Sequence, residues 1–277
     1  MSDLKTEKAS IERGFADIHG AQLYYEAVGA GHPLVMLHGH LIDSGQWDDQ
    51  FEVFARHYRV VRYDARGFGQ SSKPPGAFAH YQDLRAILAF LGIERVYLMG
   101  CSGGGATIVD LALAYPEMAG ALILVGAGLG GYQFGQPPPL ALDLRAALER
   151  GDLERAVELS LQLWTDGEYR SPDQVNSAAR ERIRAMSTRL FAREDVEASP
   201  TMLEPPAAGR LAEIGAPTLA IVGDQDVQPI QAIADLVVAQ VPEARKVVIP
   251  DAGHHPNMEH PAVFNQVVLS FLGDLSH

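Results

Sequence analysis

The sequence predicts an α/β domain in which helices flank a central, mostly parallel sheet, with a helical segment inserted before the last strands. The first observation behind this prediction is that short apolar runs alternate with helical patterns, as in a parallel sheet covered on both faces. These runs are residues 34–37, 58–63, 96–99 and 121–125. The second is that the alternation stops after Gly126 and resumes only at residues 218–222 and 246–249.

The elements around these strands follow from local patterns. Residues 15–28 alternate between apolar and polar side chains around a central His-Gly turn, which predicts an antiparallel hairpin at the edge of the sheet. Apolar residues at helical spacing predict helices over residues 79–91, 107–115 and 261–272. Residues 100–105 are rich in glycine and predict a tight turn between a strand and a helix.

The inserted segment is predicted to be a helical cap over residues 129–207, while residues 1–128 and 208–277 form the core. It starts with a loop rich in Gly and Pro and continues with helical periodicity up to residue 193. One of its helices is predicted to begin at residues 171–174 (SPDQ), because serine caps helices and proline is favoured at the first helical position. A helical cap inserted before the last two strands commonly covers an active site.

Composition excludes several classes of protein. The chain of 277 residues carries 22 Lys and Arg against 35 Asp and Glu, a net charge of −13, which argues against nucleic-acid partners and favours neutral over polyanionic substrates. A single cysteine, Cys101, cannot form an internal disulfide or a thiolate metal cluster, so no metal is expected. The polar N-terminus and the lack of a long apolar run predict a cytoplasmic protein without a membrane segment. The sequence does not indicate the oligomeric state.

A nucleophile is predicted at Ser102, in the pattern Gly-Cys-Ser-Gly-Gly of residues 100–104 between a strand and a helix. A nucleophile on so sharp a turn needs glycine two positions away on each side. Cys101 is the more nucleophilic residue type, but the residue two positions before it is Met99. Ser102 therefore fits the spacing, and Cys101 is predicted to be a small buried side chain behind it.

A serine nucleophile needs a base, and the base needs an orienting carboxylate. His254 follows the predicted strand 246–249 and Asp226 follows the predicted strand 218–222, so both lie at the carboxyl edge of the sheet, where α/β proteins build their sites. Asp224 and His255 remain alternatives for the acid and the base.

Two backbone N–H groups are expected to stabilise a developing oxyanion, those of Gly103 and His40. His38 is expected to hold the loop before His40 by hydrogen bonding. The cap offers apolar candidates for a substrate pocket, and packing within the cap is the alternative role for each of them. These candidates are Trp164, Tyr132, Phe134, Met186 and Phe191.

These motifs together resemble the α/β-hydrolase superfamily over nearly the whole chain. The matching pieces are His38-Gly39, residues 64–71 (DARGFGQS), residues 100–104, residues 223–226, Gly253-His254 and residues 259–261. The resemblance implies this fold, a triad in the chain order Ser102, Asp226, His254, no cofactor, and a structural role for residues 64–71. Many members carry a larger residue than Gly103 after the nucleophile, so a looser turn or a wider pocket floor is expected here.

The capped, single-chain form is similar to bacterial esterases, enol-lactonases, cofactor-free haloperoxidases and perhydrolases, and meta-cleavage C–C hydrolases. Dehalogenases and epoxide hydrolases of this fold use Asp in place of Ser102, and the loop 38–43 does not resemble the H-G-x-G-P-G loop of C–C hydrolases. The sequence therefore predicts a carboxylesterase-like serine hydrolase that cleaves a small-molecule ester or lactone through a Ser102 acyl-enzyme. Perhydrolase or haloperoxidase chemistry, C–C bond hydrolysis on the same triad, and ligand binding with little turnover remain alternatives.

Overall fold

A computed structural model describes residues 10–193 and 198–275 of the chain. Ten strands run through these ranges, most of them apolar and buried. They are β1 Glu12–Ile18, β2 Ala21–Val28, β3 Pro33–Leu37, β4 Arg59–Tyr63, β5 Gly76–Phe78, β6 Val96–Cys101, β7 Ala119–Val125, β8 Ala198–Pro200, β9 Thr218–Gly223 and β10 Ala244–Ile249.

Eight of these strands form one sheet in the order β1-β2-β4-β3-β6-β7-β9-β10. β1 pairs antiparallel with β2, and β2 pairs antiparallel with β4, whereas every later pair in the sheet is parallel. The predicted edge hairpin and the mostly parallel sheet are therefore confirmed. β5 and β8 form a separate two-stranded sheet that the sequence did not predict.

Helices pack on the large sheet and also form the segment inserted before β8. The helices in the described ranges are α1 Asp48–Phe54, α2 His80–Phe90, α3 Gly103–Ala114, α4 Pro139–Glu149, α5 Leu153–Leu161, α6 Ser177–Phe191, α7 Gln228–Gln240, α8 Pro256–Glu259 and α9 Pro261–Asp274. The apolar sides of α2, α3 and α7 pack into one buried cluster, and those of α1 and α9 pack into a second. The helices α4, α5 and α6 lie between β7 and β8 in the chain. None of the helices described is both long and apolar enough to cross a bilayer.

Two predicted boundaries were wrong for local reasons. The tight turn expected over residues 100–105 is shorter, because β6 continues to Cys101 and α3 begins at Gly103. The helix expected from the segment 171–174 begins only at Ser177, where the Asn176 side chain accepts the N–H groups that start α6. Residues 171–174 instead close a separate 3₁₀ turn with their own capping box. The cap boundaries at residues 129 and 207 remain a prediction, and residues 194–197 of the loop expected there lie outside the described ranges.

Candidate active site

Ser102 is the single residue between β6 and α3. Its backbone angles are φ 50° and ψ −117°, which L-amino acids rarely adopt, so the chain turns sharply at this point. The Ser102 N–H still donates to the Val125 carbonyl on the neighbouring strand β7, at 3.0 Å. The side chain is half-buried and lines a cavity above the carboxyl edge of the sheet.

The glycines on either side of Ser102 are required by close backbone contacts. A Cβ atom at Gly100 would overlap the backbone of Gly104 and Gly105 at the start of α3. A Cβ atom at Gly104 would overlap the backbone of Leu37 and His38 at the end of β3. The spacing that singled out Ser102 in the sequence therefore has a steric origin in this structure.

Cys101 lies on the other side of the turn and faces the core. Its side chain is fully buried in the apolar cluster beneath α1 and α9. Burial raises the pKa of the Cys101 thiol to about 12, so the thiolate is scarcely populated at neutral pH. Geometry and protonation both argue against Cys101 as a nucleophile.

His254 and Asp226 form a buried, hydrogen-bonded pair. The His254 Nδ1–H lies 2.9 Å from Asp226 Oδ2 and 3.1 Å from Oδ1, and Asp226 Oδ1 also accepts the Val227 N–H at 2.7 Å. His254 and Ser102 line the same cavity. The carboxylate fixes the imidazole with Nε2 free to act, which is the arrangement that a serine nucleophile requires.

The two alternatives for acid and base lie in different environments. Asp224 is exposed on the loop after β9, and the carboxylate bonded to His254 Nδ1 is that of Asp226 instead. His255 is buried, its Nδ1 has no hydrogen-bond partner among the described residues, and burial lowers the pKa of its imidazole well below the usual value. Neither residue matches the carboxylate–imidazole pair of Asp226 and His254.

His40 and Gly103, the two expected N–H donors, lie next to each other and both line the cavity. The imidazole of His40 lies against Gly103, in the space that a side chain at this position would occupy. It stacks on the Phe68 ring at 5.7 Å between ring centres. The wider floor expected from Gly103 is therefore not present at this point, because His40 fills that volume, whereas the looser turn stays a prediction.

The loop that carries His40 is fixed by buried side chains. His38 Nδ1–H donates to the Gly39 carbonyl at 2.7 Å, and His38 Nε2 accepts the Ala65 N–H at 3.0 Å. The Gly39 N–H donates to Gln46 Oε1 at 2.9 Å. Gln46 in turn donates to Asn257, at 3.2 Å. The role of His38 in holding this loop was expected from the sequence, whereas the two amides were not, because residues 211 positions apart give no local signal of their contact.

The cavity has a volume of about 280 Å³ and is lined mostly by apolar side chains. Of the predicted pocket residues, Trp164 and Phe134 line it, and the Trp164 ring lies 4.8 Å from that of His254. Tyr132, Met186 and Phe191 are not among its lining residues, which corrects the prediction. Phe191 packs against buried clusters of the inserted helices. Met186 packs in a buried cluster with Ile42 of the core, and Tyr132 packs against the main core with its ring edge on Phe134.

Comparison with known proteins agrees with this geometry. Residues 32–261 match the family model described as alpha/beta hydrolase fold, which covers most of the chain. The chain belongs to the α/β-hydrolase family. A 2-hydroxy-6-oxononadienedioate/2-hydroxy-6-oxononatrienedioate hydrolase of Paraburkholderia phymatum is 32% identical over 266 residues, 91% of each chain.

Two solved structures extend the likeness of this α/β-hydrolase to ester- and lactone-cleaving proteins. A thermophilic esterase of Thermogutta terrifontis has a TM-score of 0.76 at 27% identity, with 95% of this chain and 99% of the other covered. An N-acyl homoserine lactone degrading enzyme has a TM-score of 0.74 at 28% identity, with 94% of this chain and 100% of the other covered. Family membership and hydrolase activity follow from these matches. The matched proteins act on different bonds, so the matches alone do not identify the bond that is cleaved.

The segment 64–71 of this α/β-hydrolase is held by buried hydrogen bonds and an ion pair. Asp64 accepts the backbone N–H groups of Ser44 and Gln70, both at 2.8 Å. Arg66 forms a buried two-point ion pair with Asp83, with both N–O distances at 2.8 Å. The structural role that the resemblance implied for this segment matches these contacts.

Proposed function

We propose that the protein hydrolyses a neutral carboxylic ester or lactone with an apolar acyl group, through an acyl-enzyme on Ser102. The observation that carries this proposal is the lining of the cavity. Among the described residues that line it, none is Lys, Arg, Asp or Glu, and the titratable groups are the imidazoles of His40, His254 and His255. A substrate with a neutral, apolar body is the one that such a cavity binds without leaving a charge unpaired.

In the proposed mechanism, Ser102 is the nucleophile, His254 is the base and Asp226 orients His254. Ser102 attacks the carbonyl carbon while His254 Nε2 takes the hydroxyl proton, and Asp226 stabilises the resulting imidazolium. The N–H groups of Gly103 and His40 stabilise the tetrahedral oxyanion. His254 then gives its proton to the leaving alkoxide, and a water molecule repeats the cycle on the acyl-enzyme.

Hydrolysis of a carbon–carbon bond in a 2-hydroxy-6-oxo dienoate is the second candidate. It is favoured by the names of relatives such as the Paraburkholderia phymatum hydrolase, and the same serine, base and acid serve both reactions. Its substrates carry carboxylates, and burying an unpaired carboxylate costs several kcal/mol. The uncharged lining of the cavity therefore favours the ester or lactone.

Two esters that differ only in the group at the end of the acyl chain test the proposal. p-Nitrophenyl butyrate and p-nitrophenyl hemisuccinate have the same length, but the first ends in a methyl group and the second in a carboxylate. We expect kcat/KM for the butyrate to exceed that for the hemisuccinate by at least about 100-fold, which corresponds to about 2.7 kcal/mol. A 2-hydroxy-6-oxo dienoate is assayed alongside.

Ser102→Ala is the control for each substrate and is expected to lose at least about 10³ of kcat. Equal rates in the wild type and this variant would contradict the mechanism. A dienoate turned over faster than the neutral esters would favour the second candidate. Faster consumption of a short carboxylic acid with peroxide than of any ester would favour perhydrolysis, and tight ligand binding without turnover would favour a binding protein.

A further inference from the structure

His40 lies between two anchors, one from the core and one from the inserted helices. On the core side, the Gly39 N–H is held by Gln46 at 2.9 Å. On the other side, the Ser187 hydroxyl on α6 donates to the Leu41 carbonyl at 2.9 Å. The neighbours of His40 on both sides are therefore held by hydrogen bonds, and one of these bonds comes from the inserted helix α6. In the proposed mechanism, the His40 N–H faces the reacting oxygen.

Leu41 needs such an anchor. Its φ is 69°, in the left-handed region that glycine and, less often, asparagine adopt readily. A leucine in this region is strained. A residue in this conformation persists only where its surroundings hold it. The hydrogen bond from Ser187 is a contact of this kind, made directly to the Leu41 carbonyl.

The rest of α6 makes further contacts with the same loop. Arg182 donates to the Gly45 carbonyl at 3.0 Å and to Asp49 at 2.6 Å. Arg189 donates to Asp43 at 2.8 Å. Ile183 packs with Ile42 in a buried apolar cluster. The helix and the loop after His40 therefore form one connected unit.

Ser187 also lies at the cavity. It is buried, with 1% of its surface exposed, and it lines the cavity together with Leu41 and His40. A substrate that fills the cavity would touch the residue that holds the loop. We propose that Ser187 is a positioning residue that sets the geometry of the His40 N–H from the inserted helix α6, an assignment that rests on the function proposed above.

The proposal predicts a split between catalysis and binding. The oxyanion contact forms in the transition state, so its loss lowers kcat and leaves KM nearly unchanged. Removing one donor of such a hole costs about 10²–10³ in kcat, and displacing a donor that keeps its N–H costs less. We expect Ser187→Ala to lower kcat for a neutral p-nitrophenyl ester about tenfold, with KM within about twofold of the wild type.

Two further variants make the test specific. Ser187→Thr keeps the hydroxyl and is expected to retain kcat within about threefold. Thr188→Ala is the matched control, because Thr188 is the next residue of α6 and is exposed. Its hydroxyl donates to the Arg184 carbonyl of the same helix at 2.8 Å. Removal of its hydroxyl is expected to leave kcat unchanged.

Inhibition by an alkyl trifluoromethyl ketone gives a readout that a merely structural role would not change. The adduct of this ketone with a serine carries an oxyanion, so its Ki is expected to rise across the variants by the factor by which kcat/KM falls. Ser187→Ala with wild-type kcat and Ki would overturn the proposal, and so would equal losses in Ser187→Ala and Thr188→Ala. An increase in KM alone would assign Ser187 to the cavity wall and also overturn it.

The rate at which a fluorophosphonate labels Ser102 separates this proposal from the proposed function. Labelling that is fast in the wild type and about tenfold slower in Ser187→Ala supports both. Equal labelling rates in these two proteins would overturn the role of Ser187 alone. A wild type that is not labelled at Ser102 would overturn the acyl-enzyme and the role of Ser187 together.

Discussion

The imidazole of His40 occupies the space beside Gly103 that a side chain at that position would fill. The two residues that are proposed to donate their N–H groups to the oxyanion are therefore in direct steric contact. The surrounding protein and the neighbouring imidazoles of His38 and His254 lower the pKa of His40 from its ordinary value, so this ring is neutral at physiological pH. An uncharged ring therefore packs on the turn at Gly103.

This contact predicts that substitutions at the two positions depend on each other. Gly103→Ala is expected to lower kcat/KM about tenfold, because the new methyl group displaces the imidazole and the loop that carries it. In a His40→Ala background the space is free, and the same change is expected to be nearly neutral. A double-mutant cycle with a p-nitrophenyl ester measures this coupling. Equal costs in both backgrounds would show that the two residues act independently.

The acid of the proposed triad is tested by two neighbouring carboxylates. Asp226→Asn is expected to lower kcat by about 10³–10⁴, because the amide no longer fixes the His254 tautomer. Asp224→Asn serves as the control, since Asp224 is exposed two residues away and Asp226 is the carboxylate bonded to His254 Nδ1. Its kcat is expected to stay within about twofold of the wild type. A large loss in the control variant would reverse the assignment.

Asp110 on α3 predicts a component of the pH dependence of stability. It is 6% exposed, and one of its carboxylate oxygens has no hydrogen-bond partner within residues 10–193 and 198–275. Burial raises the pKa of Asp110 from 3.8 to about 6. The folded state therefore holds the proton more tightly than the unfolded state, so stability is lost as pH rises from about 4 to about 6.

Urea unfolding at pH 5 and pH 7.5 measures this component. From these pKa values, we expect the free energy of unfolding to fall between the two pH values by about 1 kcal/mol more in the wild type than in Asp110→Asn. The amide cannot ionise, and it keeps an acceptor oxygen for the Leu203 N–H. Identical pH dependence in the two proteins would show that Asp110 is not the group responsible.

Cys101 is expected to be unreactive in the folded protein. Its side chain is fully buried, and its thiol is protonated at neutral pH because burial raises its pKa to about 12. Iodoacetamide at pH 8 is expected to leave native Cys101 unmodified and to alkylate it completely in denaturant, as measured by intact mass. Cys101→Ala is expected to retain kcat within about threefold. Fast alkylation of the native protein with loss of activity would point to Cys101 as a reactive group.

Much of the site could be predicted from the sequence because its signals are local. The glycines at positions 100 and 104 mark a turn that other residues cannot make, and Asp226 and His254 each follow a recognisable apolar strand. Parallel strands then bring these segments to one edge of the sheet without further information. This is why the sequence already placed Ser102 close to Asp226 and His254.

The parts that the sequence did not predict depend on contacts between distant residues. The amide network of Gln46 and Asn257 joins residues far apart in the chain, and the bond from Ser187 to Leu41 joins residues 146 positions apart. The wrong choice of Met186 as a pocket residue has the same origin, because apolar residues on a helix pack or line a cavity according to what lies opposite. Only the fold supplies that information.

Covalent labelling identifies the nucleophile, which is proposed to be Ser102. An alkyl fluorophosphonate is incubated with the folded protein, and the modified peptide is identified by mass spectrometry. We expect one adduct per chain, on Ser102, and no adduct in Ser102→Ala. An adduct on Cys101 or on any other residue, or equal labelling of Ser102→Ala, would contradict the account.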